Sequence, residues 1–320
     1  MRSRRKLSPL LIALASVFAF TMTADAVVNI QNIGAGARSA SLGNAFVAVA
    51  DNGDALFSNP AGLGQIEQSQ LSYTNVSILF SGIDGDNLGQ HVASYARPLG
   101  SRLALGLGYE RIGSDLLSEN GAFFGLSYKV NRNLHLGLTG KYVFWAVDDF
   151  DPLDKVSGQS QGAIGADIGL LWNTPFRDAK LGVQYKNALA PNVACGASCS
   201  GNAAATNAKL KSDDGDLPSD LNIGVSFSVA EASMLSVQWA MRDLSGETEK
   251  RLVVGGETVL VEGLMLRAGG SRIFEDEASG DLNAGLGYSW SKMLFDYGYH
   301  IPLDLTETNG SHRLSLVRMF

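Results

Sequence analysis

From residue 70 to the end of the chain, apolar and polar residues alternate with a period of two, the repeat of a strand with two different faces. Over 103–110, Leu103, Leu105, Leu107 and Tyr109 share one face, and Ala104, Gly106, Gly108 and Glu110 share the other. The same alternation recurs over 124–130, 134–144, 164–172, 181–186, 221–227, 235–242, 282–290 and 295–300. It is less clean over 252–258 and 264–272, and weak over 90–99. Residues 71–81 change phase near Asn75, which predicts a bulge there. With the last run, 312–320, the pattern predicts fourteen strands, an even number as in bacterial outer-membrane barrels.

The connections between these strands alternate in length. The odd-numbered ones are 82–86, 112–120, 148–159, 188–218, 243–249, 274–279 and 302–310. The even-numbered ones are mostly shorter: 98–101, 131–133, 174–178, 230–233, 261–263 and 291–292. Long loops at one end and short turns at the other are the asymmetry of a membrane barrel. Tyr109, Tyr128, Phe144, Trp172, Trp290 and Tyr299 lie near strand ends on the apolar face, where an interfacial girdle would sit.

Residues 36–64 break the pattern. Leu42, Ala45, Phe46 and Val49 recur at i, i+3, i+4 and i+7, which predicts one amphipathic helix with Ser39 as its N-cap. Asp51, Asn52 and Gly53 would stop it, and 54–58 would make one further turn. Asn59, Pro60, Ala61 and Gly62 then force a turn, because Pro fixes its own φ and restricts Asn59 to extended backbone. The expected fold is all-β: a transmembrane antiparallel barrel of about fourteen strands over 70–320, with a short helical plug over 27–69.

The N-terminus points to export. Arg2, Arg4, Arg5 and Lys6 precede an apolar run over 10–20 that is too short to span a bilayer as a helix. Ala24 and Ala26 supply small residues for cleavage, so 1–26 read as a signal peptide. That stretch carries four basic residues and one acidic one, so the formal charge of −7 becomes −10 without it. Such acidity argues against a nucleic-acid partner. No later apolar run reaches eighteen residues, which excludes helical spans but not strands. Cys195 and Cys199, in the run CGASC, read as a local disulfide in an exported protein; no further Cys or His lies nearby to complete a metal site.

The polar faces carry Glu110, Lys129, Lys141, Asp167, Arg242, Arg267 and Asp296. In a barrel these line the lumen, where they are expected to pair with one another and with the plug, including Arg38 and Asp51. The chain has only four His, and although Asp296 and His300 share a face, no Ser stands beside them as a nucleophile, so an enzyme is not expected. The acidic stretch 148–154 lacks the glycine turn and ligand spacing of a calcium loop, so neither metal nor cofactor is expected.

The terminal pattern Leu314, Leu316, Phe320 resembles the C-terminal strand signal of outer-membrane barrels, which implies the barrel-insertion machinery and outer-membrane lipids as partners. The plug is more specific. Gly36-Ala37-Arg38, Leu42-Gly43-Asn44-Ala45, Ala50-Asp51 and Asn59-Pro60-Ala61-Gly62-Leu63 resemble the N-terminal motif of the FadL-type outer-membrane transporter superfamily, and especially its shorter PorV/PorQ-type branch. The resemblance implies a fourteen-stranded barrel with a hatch built from Arg38, Leu42, Phe46, Asp51, Asn59, Pro60, Ala61 and Gly62. It implies a channel for hydrophobic or amphipathic small molecules. The PorV-type branch implies instead a type IX secretion component that binds exported proteins. The longest loop, 188–218, is rich in small and acidic residues, unlike the apolar capture grooves of the fatty-acid transporters.

Overall fold

The structure is a computed structural model that describes residues 34–80, 88–113, 117–147, 162–176, 178–191, 217–244, 247–274, 279–303 and 308–320. The expected signal peptide 1–26, the stretch 27–33, residues 148–161 and the pair Cys195 and Cys199 lie outside the described residues.

Fourteen antiparallel strands close into one barrel, each hydrogen-bonded to its sequence neighbours and the first to the last. They are β1 Gln70–Phe80, β2 Gly89–Leu99, β3 Leu103–Gly113, β4 Leu117–Lys129, β5 Leu134–Val147, β6 Gly162–Asn173, β7 Lys180–Lys186, β8 Asp220–Ala230, β9 Ser233–Leu244, β10 Glu247–Val261, β11 Leu264–Ile273, β12 Gly280–Trp290, β13 Met293–Pro302 and β14 Thr308–Met319. Closure leaves no unpaired edge, which a strand in hydrocarbon requires. The seam pairs β1 with β14, from Gln70 opposite Met319 to Ile78 opposite Ser311.

Alternation sorts the side chains. Leu71, Tyr73, Leu107, Phe124, Leu138, Ile168, Leu286 and Leu314 stand exposed on the outside, while Ser72, Thr74, Gln90, Ser127, Thr139, Gln184 and Ser236 are buried inside. An apolar exterior around a polar interior is the arrangement of an outer-membrane barrel. Leu314 and Leu316 face outward, and Phe320 follows β14, its N–H donating to Ser69 O at 3.0 Å.

Three details differ from the pattern reading. The register of β1 against β2 is continuous through Asn75, and the irregularity with β14 falls between Ile78 and Phe80. The apparent phase change has another cause: Asn75 faces outward within reach of His91 (3.3 Å), while Val76 points into the lumen and is buried. The connection expected over 112–120 is mostly strand, because β3 runs to Gly113 and β4 begins at Leu117. The one expected over 243–249 shrinks likewise to the short gap between β9 and β10. Strand pairing continues past the apolar band into polar sequence, which alternation of hydrophobicity cannot register.

The main hydrophobic cluster of buried residues lies inside the barrel. Leu42, Phe46, Val49, Leu56, Phe57, Leu63 and Ile66 of the N-terminal segment pack with Val92, Ala96 and Ala104 of the wall.

Candidate functional site

Residues 34–66 fold within the lumen as short pieces: α1 Ala37–Ser41, α2 Ala55–Ser58 and a 3-10 turn Pro60–Gln65. The longer helix expected across Leu42, Ala45, Phe46 and Val49 does not form. Gly43 and Asn44 have φ of 67° and 68°, in the left-handed region that ends a right-handed helix. Ser39 is not the N-cap but the third residue of α1, where its Oγ accepts from Gly36 N at 3.2 Å. All four apolar residues are nonetheless buried, because wall surrounds the segment and burial does not require a single helix face.

The wall receives the segment through glycines that face each other across neighbouring strands. Gly255 and Gly269 are directly paired, and a Cβ on either would overlap Leu42. Gly182 and Gly224 are paired against Val47, and Gly106 and Gly125 against Leu56 and Leu63. Gly137 and Gly169 are paired against Pro60 and Ala61, and Gly285 and Gly298 against Ser41. Each pair removes two side chains from one spot, and the segment occupies that space. Gly43 itself approaches β11 so closely that a Cβ would lie 2.8 Å from Gly270 N.

Polar contacts fix the segment further. Asn59 donates from Nδ2 to Val47 O (2.7 Å) and Leu170 O (3.1 Å), and its Oδ1 accepts from Ala61 N (3.2 Å). Ser315 Oγ accepts from Ala37 N at 2.8 Å, and Ser127 Oγ donates to Ala61 O at 2.9 Å. Gly62 lies against the Ala50 backbone.

A chain of charges crosses from the segment into the wall. Arg38 pairs with Asp51 and reaches Glu257 through Nε–Oε2 (2.8 Å) and Nη2–Oε1 (3.0 Å). Glu257 Oε2 also accepts from Arg267 Nε at 2.5 Å, and Arg267 Nη1 donates to Asp296 Oδ1 at 2.6 Å. The Arg38 guanidinium lies 5.6 Å from the centroid of the Phe46 ring. Glu257 lies directly opposite Arg267 in the register of β10 and β11. Asp54 is buried beside Gly36, and burial pushes its carboxyl up to about 6 despite a hydrogen bond from Asn52 Nδ2 (3.3 Å).

The remaining lumen charges lie elsewhere on the wall. Lys141 and Asp167 pair at 2.6 Å, and Arg242 holds Asp220 through Nε (2.7 Å) and Nη2 (3.0 Å). Glu110 accepts from Gln90 Nε2 at 2.6 Å. Lys129 sits at the short-turn end of β4, away from these groups. Asp220, Gln90 and Arg313 had no motif to mark them. Arg313, fully buried on β14, donates to Gly34 O at 2.7 Å.

The segment occupies the half of the lumen nearer the short turns: Gly53 N donates to Gln70 Oε1, and Gln65 accepts from Lys180, both at strand starts on that end. In the other half lies a cavity of about 190 Å³. Phe57 of the segment forms its floor with Phe123 of β4, their rings edge to face at 4.9 Å, and Ile112 and Val143 extend this apolar side. Gln90, Glu110, Glu119, Lys141, Asp167, Lys186, Asn187, Asp220 and Arg242 make the rest polar.

No family model matches the chain, and no curated protein matches it. Solved structures do. The CymD monoaromatic hydrocarbon channel aligns with a TM-score of 0.70 at 15% identity, over 92% of this chain and 99% of its own. The Ralstonia pickettii toluene transporter TbuX gives 0.65 at 13%, over 91% and 100%. A Pseudomonas aeruginosa FadL homologue gives 0.57 at 13%, over 89% and 98%. At such identities the likeness is one of fold. The chain shares the closed β-barrel fold of these structures.

Proposed function

We propose that this chain is an outer-membrane channel for hydrophobic or amphipathic small molecules, occluded by its N-terminal segment. The observation that carries the reading is the cavity above Phe57: a small space with an aromatic floor, set on the same segment that fills the lumen below it. Concave sites that mix apolar walls with a few polar groups are the usual form of small-molecule sites. The named hydrocarbon transporters of the same fold support it. In this reading 1–26 are removed on export, and the segment is a hatch that must shift, or be bypassed through the wall, for a ligand to pass.

The test is uptake. Gram-negative cells carrying the chain in the outer membrane should accumulate a radiolabelled single-ring hydrophobic compound faster than cells with an empty vector, and a variant lacking the cavity floor, Phe123→Ala, should lose the gain. Equal uptake with and without the chain would end the channel reading. The PorV-type alternative predicts instead that cross-linking in the outer membrane recovers exported proteins.

A further inference from the structure

Charges of both signs stay uncommitted in the cavity lining. Lys141 is held by Asp167 at 2.6 Å, and Arg242 by Asp220 at 2.7 Å. The other charged side chains of the lining are Glu110, Glu119 and Lys186, and none of these has an ion pair among the described residues. Glu110 accepts a hydrogen bond from Gln90 Nε2 at 2.6 Å. Glu119 is exposed and Lys186 half-buried, so a molecule in the cavity reaches both side chains.

The two signs flank the aromatic floor from different strands. Glu110 is the next inward residue of β3 after Gly108, where a Cβ would lie 2.8 Å from the Phe57 ring. Glu119 of β4 stands opposite Ile112, one inward step further along β3. Lys186 ends β7, the next inward residue after Gln184, whose Nε2 donates to Phe57 O at 3.2 Å. Glu110 feels Lys186 electrostatically, yet the two form no ion pair, so a gap separates the poles. Lys141 and Arg313 also act on Glu110 at a distance, but Lys141 is engaged by Asp167, and Arg313 is fully buried against Gly34 O. Glu119 and Glu110 repel one another across the acidic side. A ligand ammonium relieves that repulsion, and a ligand carboxylate gives Lys186 a counter-ion. A singly charged molecule answers one pole, and a bare hydrocarbon neither.

We propose that the cavity takes small zwitterions built on one aromatic ring, as an aromatic α-amino acid is. The ring rests on Phe57 and Phe123, the ammonium on Glu110 and Glu119, and the carboxylate on Lys186. A cavity of about 150 Å³ is enough for benzene, so one of about 190 Å³ admits a ring with a short side chain. Because Glu119 and Lys186 keep contact with water, the new pairs form without the full desolvation penalty of a buried salt bridge. The proposal rests on the small-molecule channel reading and narrows it from amphipathic compounds in general to those carrying both charges.

Calorimetric titration of the purified full chain in detergent tests it with four matched probes at neutral pH: L-phenylalanine, 2-phenylethylamine, 3-phenylpropionate and ethylbenzene. Phenylalanine should bind about tenfold more tightly than any of the other three, the worth of one added charge-assisted hydrogen bond. Lys186→Met should weaken phenylalanine and phenylpropionate about tenfold and leave the amine unchanged. Glu119→Gln should weaken phenylalanine and the amine and leave phenylpropionate unchanged, so each variant keeps one probe as a check on its folding. Ethylbenzene or a singly charged probe binding as tightly as phenylalanine would overturn the proposal and leave the channel reading standing. Phenylalanine affinity unmoved by both variants would do the same. Binding by none of the four would overturn both.

Discussion

Arg38, on the lumenal segment, grips Glu257 on β10 with two parallel hydrogen bonds of 2.8 and 3.0 Å. Glu257 in turn accepts from Arg267, so one carboxylate is shared by two guanidinium groups from different parts of the fold. A bidentate arginine pair fixes orientation as well as charge, which a lysine point charge does not. The segment is thus tied to the wall at a point far from it in sequence.

Removing Arg38 leaves Glu257 with one partner and Asp51 with none from this chain of contacts. Breaking a buried pair from one side costs about 3–5 kcal/mol, most of it borne by the docking of the segment rather than by the barrel. Arg38→Met should therefore raise the frequency of open events in planar bilayers while the strand signal in circular dichroism stays, and Arg38→Lys should restore closure only in part.

The opposed glycines predict a steric contrast. A Cβ at Gly269 meets Leu42 and Gly43 backbone, whereas one at Gly140 meets nothing within 4 Å. Gly269→Ala should destabilise the segment by about 1–3 kcal/mol, the usual cost of overpacking, and expose it to added protease. Gly140→Ala should behave as the parent in the same digestion.

Asn59 makes three hydrogen bonds, two of them to carbonyls of distant residues. Asn59→Ala should cost roughly 2–4 kcal/mol at about 1 kcal/mol for each bond. Urea unfolding in micelles, followed by a fluorophore placed on the segment, reads this directly. A change below the error of that measurement would make the turn dispensable.

Asp54 gives stability a pH dependence. Its carboxyl, at about 6 in the folded state against an ordinary 3.8, holds a proton between those values where the unfolded chain has lost it. The folded state binds more protons in that window, so stability rises as pH falls through 6 and levels off below about 4. The gain is about 3 kcal/mol at about 1.4 kcal/mol per pH unit of separation. Denaturant titrations at pH 7.5 and 4.5 should show about 2 kcal/mol of this gain in the parent and lose that share of it in Asp54→Asn.

The barrel was legible because its cause is periodic: a strand with lipid on one side and a filled lumen on the other must alternate, and most of the fourteen runs do. Turn signals placed the ends of most strands, but not where pairing outruns the apolar band, as at Gly113 and Leu117. The N-terminal segment was legible as an exception and misread as a helix. Leu42, Ala45, Phe46 and Val49 have helical spacing, yet Gly43 and Asn44 turn left-handed between them. A segment enclosed on every side buries apolar residues whatever its local conformation, so spacing loses its meaning there. Glu257 and Asp220 each sit directly opposite an arginine on the next strand, Arg267 and Arg242, and that pairing is set by register, which alternation of hydrophobicity does not report.

The central claim is that residues 34–66 fill and close the lumen. Single-channel recording of the chain with residues 1–26 retained and residues 27–63 deleted tests this most directly. The account predicts a large, steady rise in conductance over the parent, with the barrel still folded. A folded deletion variant whose conductance equals the parent's would contradict it.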